Sequence, residues 1–283
     1  MWKRKLCLAT ASSFGLSVEE QIRKFKEAGF EGFFPSYEPG APVESWAKAA
    51  RQENMLFQSI HAPFGHADAL WHEDEEAAED MLGVLLSCLE ACEKNEVPLM
   101  IVHTFIGFEE HNPTPLGIER FGKLVKAAEG TGVKLAFENT EGMEYLEALM
   151  NAFVGEKHVG FCWDSGHELC YNYSEDMLAL YGDRLFGTHL NDNLGIRDYE
   201  GKITWLDDLH LLPFDGVTDW TRAARRLFLT GFSGPLTFEL TTSSKPGRYD
   251  NDAYARMPLD EYLAAAYARA CRVAALLEKE ASF

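Results

Sequence analysis

Short runs of apolar residues alternate along the chain with longer stretches in which apolar positions return every three or four residues. The first pattern fits strands buried on both faces, and the second fits amphipathic helices. Strands are expected at 6–10, 31–35, 56–61, 99–103, 133–138, 159–164, 185–190 and 236–240. The helices between them are expected at 18–28, 43–53, 75–93, 116–130, 143–152, 175–180, 218–229 and 259–279. Gly29, Gly130, Gly132 and Gly231 fall where a helix must stop and the next strand begin. Eight strand–helix units suit a closed (β/α)8 TIM barrel, an α/β fold. The competing doubly wound sheet carries a Gly-rich phosphate loop after its first strand; here that place holds Ala11-Ser12-Ser13-Phe14-Gly15. No linker or low-complexity stretch interrupts the sequence, so residues 1–283 read as one domain. The longest connections, 64–74, 191–219 and 241–258, all follow strands. In a barrel they would rim the C-terminal face, where active sites are built.

Composition narrows the classes. The chain is 46% hydrophobic and 25% charged, as in ordinary globular proteins, and its 283 residues bury a core without disulfide staples. No apolar run is long enough to span a bilayer. The basic start Met1-Trp2-Lys3-Arg4-Lys5 precedes an apolar stretch at 6–11 that is too short for a secretory signal, so a cytoplasmic protein is expected. The net charge of −19 opposes the counterion release on which nucleic-acid binding relies. A small-molecule partner is therefore expected, rather than nucleic acid or membrane, and a homo-oligomer is left open. The six cysteines show no CxxC and read as small buried hydrophobes, including Cys88 and Cys92 on one helical face.

Candidate chemistry collects at the strand ends. His61, His103, Glu138, Asp164, His189 and Glu239 close the third to eighth strands in order, and His167 follows Asp164 by three residues. In a barrel these positions converge on the axis. Carboxylates and imidazoles brought to one point suit Zn²⁺, Mn²⁺ or a similar divalent ion. Glu138, Asp164, His189 and Glu239 form the primary ligand set, because a carboxylate is rarely buried unless paired or metal-bound. His61, His103 and His167 suit either direct ligation or substrate contact. Asp208 and His210, in the loop after the seventh strand, are further candidate ligands. His66, His72 and His111 read as exposed loop residues, and His158 belongs to the opposite, structural end. Trp71, Phe64, Phe105, Trp205 and Phe214 are candidates for the walls of a sugar site or for loop packing. Arg197, Lys202, Lys245 and Arg248 are rim cations that would suit a phosphate, although exposed charge is their plainer reading.

The motifs Phe137-Glu138-Asn139-Thr140, Trp163-Asp164-Ser165-Gly166-His167, His189-Leu190-Asn191-Asp192 and Phe238-Glu239 carry a family resemblance. Across essentially its whole length the chain resembles the xylose isomerase-like barrel superfamily, which includes sugar isomerases, ketose 3-epimerases, inosose dehydratases and the apurinic endonuclease branch. The epimerase resemblance implies one divalent ion on Glu138, Asp164, His189 and Glu239. Glu138 and Glu239 would exchange the substrate proton and His167 would position a hydroxyl. His61 and His103 would contact substrate, as would Arg197, the nearest candidate for the epimerase arginine. The endonuclease resemblance implies a three-zinc site that adds His61, His103, His167, Asp208 and His210, and all of these residue types are present. The expected function is a metal-dependent isomerase or epimerase of a small sugar or sugar phosphate acting through an enediolate. It would hold one to three ions, zinc or manganese before magnesium. The alternatives are a multinuclear zinc phosphodiester hydrolase and a dehydratase or lyase of a sugar or inosose.

Overall fold

The computed structural model describes residues 2–108, 112–197 and 203–281. Its parallel strands are β1 (Leu6–Ala9), β2 (Gly32–Phe34), β3 (Leu56–Phe57), β4 (Ile60–His61), β5 (Leu99–His103), β6 (Lys134–Glu138), β7 (Val159–Asp164), β8 (Leu185–His189) and β9 (Leu236–Phe238). They run in two sets, β3-β2-β1-β9 and β4-β5-β6-β7-β8. The two sets join at both seams. His61 N donates to Pro35 O and Tyr37 N to His61 O, at 3.0 and 2.9 Å. At the other seam Leu190 N donates to Thr237 O and Glu239 N to Leu190 O, at 2.8 and 3.2 Å. The result is the TIM barrel read from the sequence, with one difference. The third strand is broken at Gln58-Ser59, so β3 pairs with β2 while β4 pairs with β5 and meets the segment after β2 through the single Ser36–His61 bridge.

The helices are α1 (Val18–Ala28), α2 (Val43–Glu53), α3 (Glu75–Lys94), α4 (Pro115–Ala128), α5 (Met143–Ala152), α6 (Ser165–Cys170), α7 (Met177–Tyr181), α8 (Trp220–Leu229), α9 (Asp252–Ala255) and α10 (Leu259–Glu280). Their ends follow from local chemistry. Ser17 and Glu20 form a reciprocal capping box at the start of α1, and Gly29 ends that helix in the left-handed region. A side chain at Gly29 would also strike the Tyr267 ring. Two short helices, α6 and α9, were not expected. The strand pleat then positions the donors, because residues two apart share a face. Leu99 and Ile101 on β5, Ala136 on β6 and Cys162 on β7 form a small interior cluster. The next residues on that face are His103, Glu138 and Asp164, which stand above it at the C-terminal mouth.

Candidate active site

Glu138 is fully buried at the centre of the mouth. Its Oε2 lies 3.3 Å from Nε2 of both His61 and His103, and its Oε1 lies 2.8 Å from Nδ1 of His189 and 3.6 Å from Nδ1 of His167. Glu239 Oε2 is 3.0 Å from His189 Nδ1. Asp208 sits between His167 Nε2, at 3.6 Å, and His210 Nε2, at 3.0 Å. The donors fall into groups whose ligand atoms all lie within 4.8 Å of one another. One is Glu138, Asp164, His189 and Glu239; a second is His61, His103 and Glu138; a third is His167, Asp208 and His210. The buried Cys162 shares a further group with Glu138 and His189.

The donor set fits a divalent ion. Glu138 Oε2 and Asp208 Oδ1 are buried with no hydrogen-bond partner among the described residues, although imidazole nitrogens stand 3.3 to 3.6 Å away. Three imidazoles also have their tautomer fixed. The Nδ1 atoms of His61, His167 and His210 lie 2.8, 3.0 and 3.1 Å from the carbonyls of Ala62, Asn139 and Glu239. A carbonyl only accepts, so each Nδ1 carries the proton and each Nε2 is left as a ligand. Asp164 is held as firmly. Its Oδ1 accepts from His167 N at 2.7 Å as the N-cap of α6, and its Oδ2 accepts from Asn191 Nδ2 at 2.8 Å. Asn139 clamps the Asp164 backbone from both sides, at 2.8 and 2.9 Å, and Asn172 holds Asn139 in turn. His189 is oriented by stacking on Phe34, with ring centroids 4.6 Å apart.

A cavity of about 460 Å³ opens over this floor. His61, His103, His167, Asp208, His210 and Glu239 reach it; Phe64, Phe108, Tyr171 and Trp205 give it aromatic walls, and Glu141 and Lys245 add charge. Glu138, Asp164 and His189 lie beneath the lining.

With this geometry in view, the profile of the xylose isomerase-like TIM barrel matches residues 22–268. The chain belongs to that family. A curated relative, the uncharacterized protein y4fM of Sinorhizobium fredii (strain NBRC 101917 / NGR234), is 34% identical over 137 residues, which are 47% of this chain and 41% of that protein. Among solved structures, a xylose isomerase-like TIM barrel/4-hydroxyphenylpyruvate dioxygenase fusion protein is 17% identical with a TM-score of 0.71, over 94% of this chain. The chain spans 42% of that fusion's length. An L-ribulose 3-epimerase is 15% identical with a TM-score of 0.72, over 99% of this chain and 96% of its own. The IOLI protein with a binding zinc atom is 19% identical with a TM-score of 0.72, over 96% and 98%. These structural likenesses show the shared barrel fold.

Within that family frame, several sequence expectations change. Arg197 has its side chain 59% exposed, 3.7 Å from Asp207, and does not line the cavity. Trp71 and Phe105 are core residues, the first donating to Thr104 O and the second stacked on Tyr145, while Phe214 packs on Trp220. Phe64 and Trp205 do face the cavity. Arg248 is occupied by Asp207 and Asp250. Lys202 and His111 lie outside the described residues. Glu141, Tyr171 and Phe108 line the site without having been singled out; only their position after a donor-bearing strand or helix hinted at it.

Electrostatics follow from burial. Desolvation lifts Asp164 to about 6, with Glu138 and Glu239 adding to the rise. Burial alone would lift Glu239 as well, but the His189 and His210 charges hold it down to about 2. Burial would lower His210, yet Asp208, Glu239 and Asp164 outweigh it and raise it to about 9. His103 moves down, because burial dominates the attraction of Glu138.

Proposed function

We propose that this family member is a metal-dependent isomerase or epimerase of a small sugar or sugar phosphate, working through an enediolate. The observation that carries the reading is the double role of Glu239. It belongs to the four-donor group and also lines a cavity within the usual size range of small-ligand sites. The aromatic walls and the acidic chain suit a carbohydrate better than a nucleic acid. The likeness to an L-ribulose 3-epimerase and to a zinc-bearing barrel supports the same reading. The proposal takes residues 1–283 as one barrel domain acting in the cytoplasm.

Glu138, Asp164, His189 and Glu239 would hold the ion, zinc or manganese. When bound, such an ion supplies Lewis acidity toward the substrate carbonyl and its neighbouring hydroxyl. Glu239, whose side chain is 23% exposed, takes the proton from the carbon beside the carbonyl. Its return by Glu239 to the adjacent carbon gives the isomer; the epimer takes a second proton donor on the opposite face of the same carbon, a role this reading gives to one of the lining imidazoles, His61 or His103. His167 faces the cavity and orients a substrate hydroxyl. Glu138 is surrounded by four imidazoles and does not reach the cavity, so the reading gives it a ligand role rather than a share in proton exchange. The test is a panel of aldoses and ketoses, free and phosphorylated, incubated in D₂O and followed by proton NMR. Exchange beside the carbonyl is expected, with a fall of about 100-fold or more in Glu239→Gln. A purified, ion-loaded enzyme that exchanges no proton on any member would end the reading.

A second reading, phosphoester hydrolysis at a multinuclear zinc site, is favoured by one observation: the three donor groups connect through shared or neighbouring residues around Glu138. Elemental analysis giving three ions per chain, with phosphodiester cleavage and no proton exchange, would select it.

A further inference from the structure

We propose that the substrate carries an anionic tail, a phosphate or a carboxylate, and that Lys245 binds it. The inference rests on the small-sugar reading above and adds the charge of its substrate. Among the described residues, Lys245 is the sole lysine or arginine lining the cavity. Its side chain is 21% exposed, with Nζ 3.2 Å from Asp208 Oδ2 and 5.4 Å from the centroid of the Trp205 ring. An ammonium has three N–H donors. Asp208 takes one, which leaves others for a ligand in the cavity.

The position is built by the rim rather than left to a free side chain. Arg248 donates to Asp207 Oδ1 at 2.6 Å and to Leu206 O at 3.0 Å. Asn251 Nδ2 donates to Leu209 O and Thr241 O, at 3.0 and 3.1 Å, and Ser244 Oγ to Asp252 at 2.7 Å. These bonds tie the segment carrying Lys245 to the turn carrying Trp205. A largely buried ammonium also loses hydration, and an oxyanion replaces it with a charge-assisted bond stronger than a sugar hydroxyl gives. In a chain of net charge −19, an anionic substrate needs such a local cation.

The test is calorimetric titration of zinc-loaded protein with inorganic phosphate and, separately, with acetate. The wild type is expected to bind at least one of them. Lys245→Met should weaken that binding about tenfold or more, the worth of one charge-assisted hydrogen bond, while Lys245→Arg should stay within about threefold. Lys245→Gln provides a second neutral variant if methionine disturbs the rim. The anion that loses more affinity identifies the tail as phosphate or carboxylate. Unchanged affinity in both neutral variants, or no binding of either anion by the wild type, overturns the proposal. No turnover is measured, so the anion site can fail while the proton-exchange reading stands, and the reverse also holds.

Discussion

Gly166 has no room for a side chain. A Cβ there would collide with Asn191 Oδ1, and Asn191 is the residue whose amide holds Asp164 Oδ2 at 2.8 Å. Ser165 Oγ bonds the Asn191 backbone at both its carbonyl and its N–H, at 2.7 and 3.0 Å, so Asn191 has little freedom to retreat. Gly166→Ala is therefore expected to cost about 1–3 kcal/mol by urea denaturation and to weaken zinc binding in a chelator competition. An unchanged midpoint together with unchanged affinity would mean that Asn191 yields freely. Legibility at this scale depended on contrast. A carboxylate or imidazole at the end of an apolar run stands out, which is why Glu138, Asp164, His189 and Glu239 were visible in the sequence. The clamping role of Asn139, although the residue lies in a quoted motif, and Asn172 altogether were not visible, because each is an ordinary loop-type residue whose partner lies tens of positions away. Glu141 and Arg197 illustrate the same gap from opposite sides. Arg197 was named from the family resemblance and Glu141 was not named at all, and only the fold says that Glu141 lines the cavity and Arg197 does not.

At the scale of elements, α6 is the piece on which the site turns. It begins on Asp164 and carries His167, and its next residue, Glu168, is buried behind it. Arg226 on α8 grips Glu168 with two bonds of 2.6 and 2.8 Å, while Trp163 Nε1 donates to the same carboxylate at 2.9 Å. Asp176, just before α7, also bonds Arg226. This strut sets the rotation of α6 and hence the direction of His167. Arg226→Met leaves a buried carboxylate unpaired and is expected to cost about 3–5 kcal/mol. Adding Glu168→Gln should recover part of that loss; a double variant no more stable than the single would refute the strut. The sequence did not reveal α6, since Ser165-Gly166-His167 has no apolar period and the short helix is held by its cap and by Glu168. It did reveal α1, α2 and α5 to the residue, because an amphipathic period and local punctuation agree there. The break between β3 and β4 was also missed: the polar pair Gln58-Ser59 stands at it, but a polar pair inside a short run does not say that its two halves pair with different neighbours.

Across the whole molecule the acidic mouth makes stability depend on pH and on the ion together. In chelator-treated protein, His210 is raised from an ordinary 6.5 to about 9, by Asp208 against the opposing effect of burial. A raised imidazole contributes stability that is fully present below pH 6.5 and is lost as the pH climbs through about 9. Ligation by His210, as a second ion held by the His167, Asp208 and His210 group would require, takes that proton away, so binding of such an ion would strengthen over the same interval. The difference in urea midpoint between zinc-loaded and chelator-treated protein is therefore expected to widen from pH 6.5 toward pH 9. A constant difference, or one that narrows, would remove His210 from the ion site. Among the described residues no helix is long and apolar enough to cross a membrane.

The seam between β8 and β9 has one more consequence. β9 enters between β1 and β8, and Glu239 is the residue just beyond it, so the last of the four candidate ligands comes with the last stave of the cylinder. During synthesis the other three members of the four-donor group are made first but lack their partner until that stave docks. An ion held by these four would thus report ring completion: a nascent or clipped chain ending before β9 would fail to retain it, however well its earlier strands had paired.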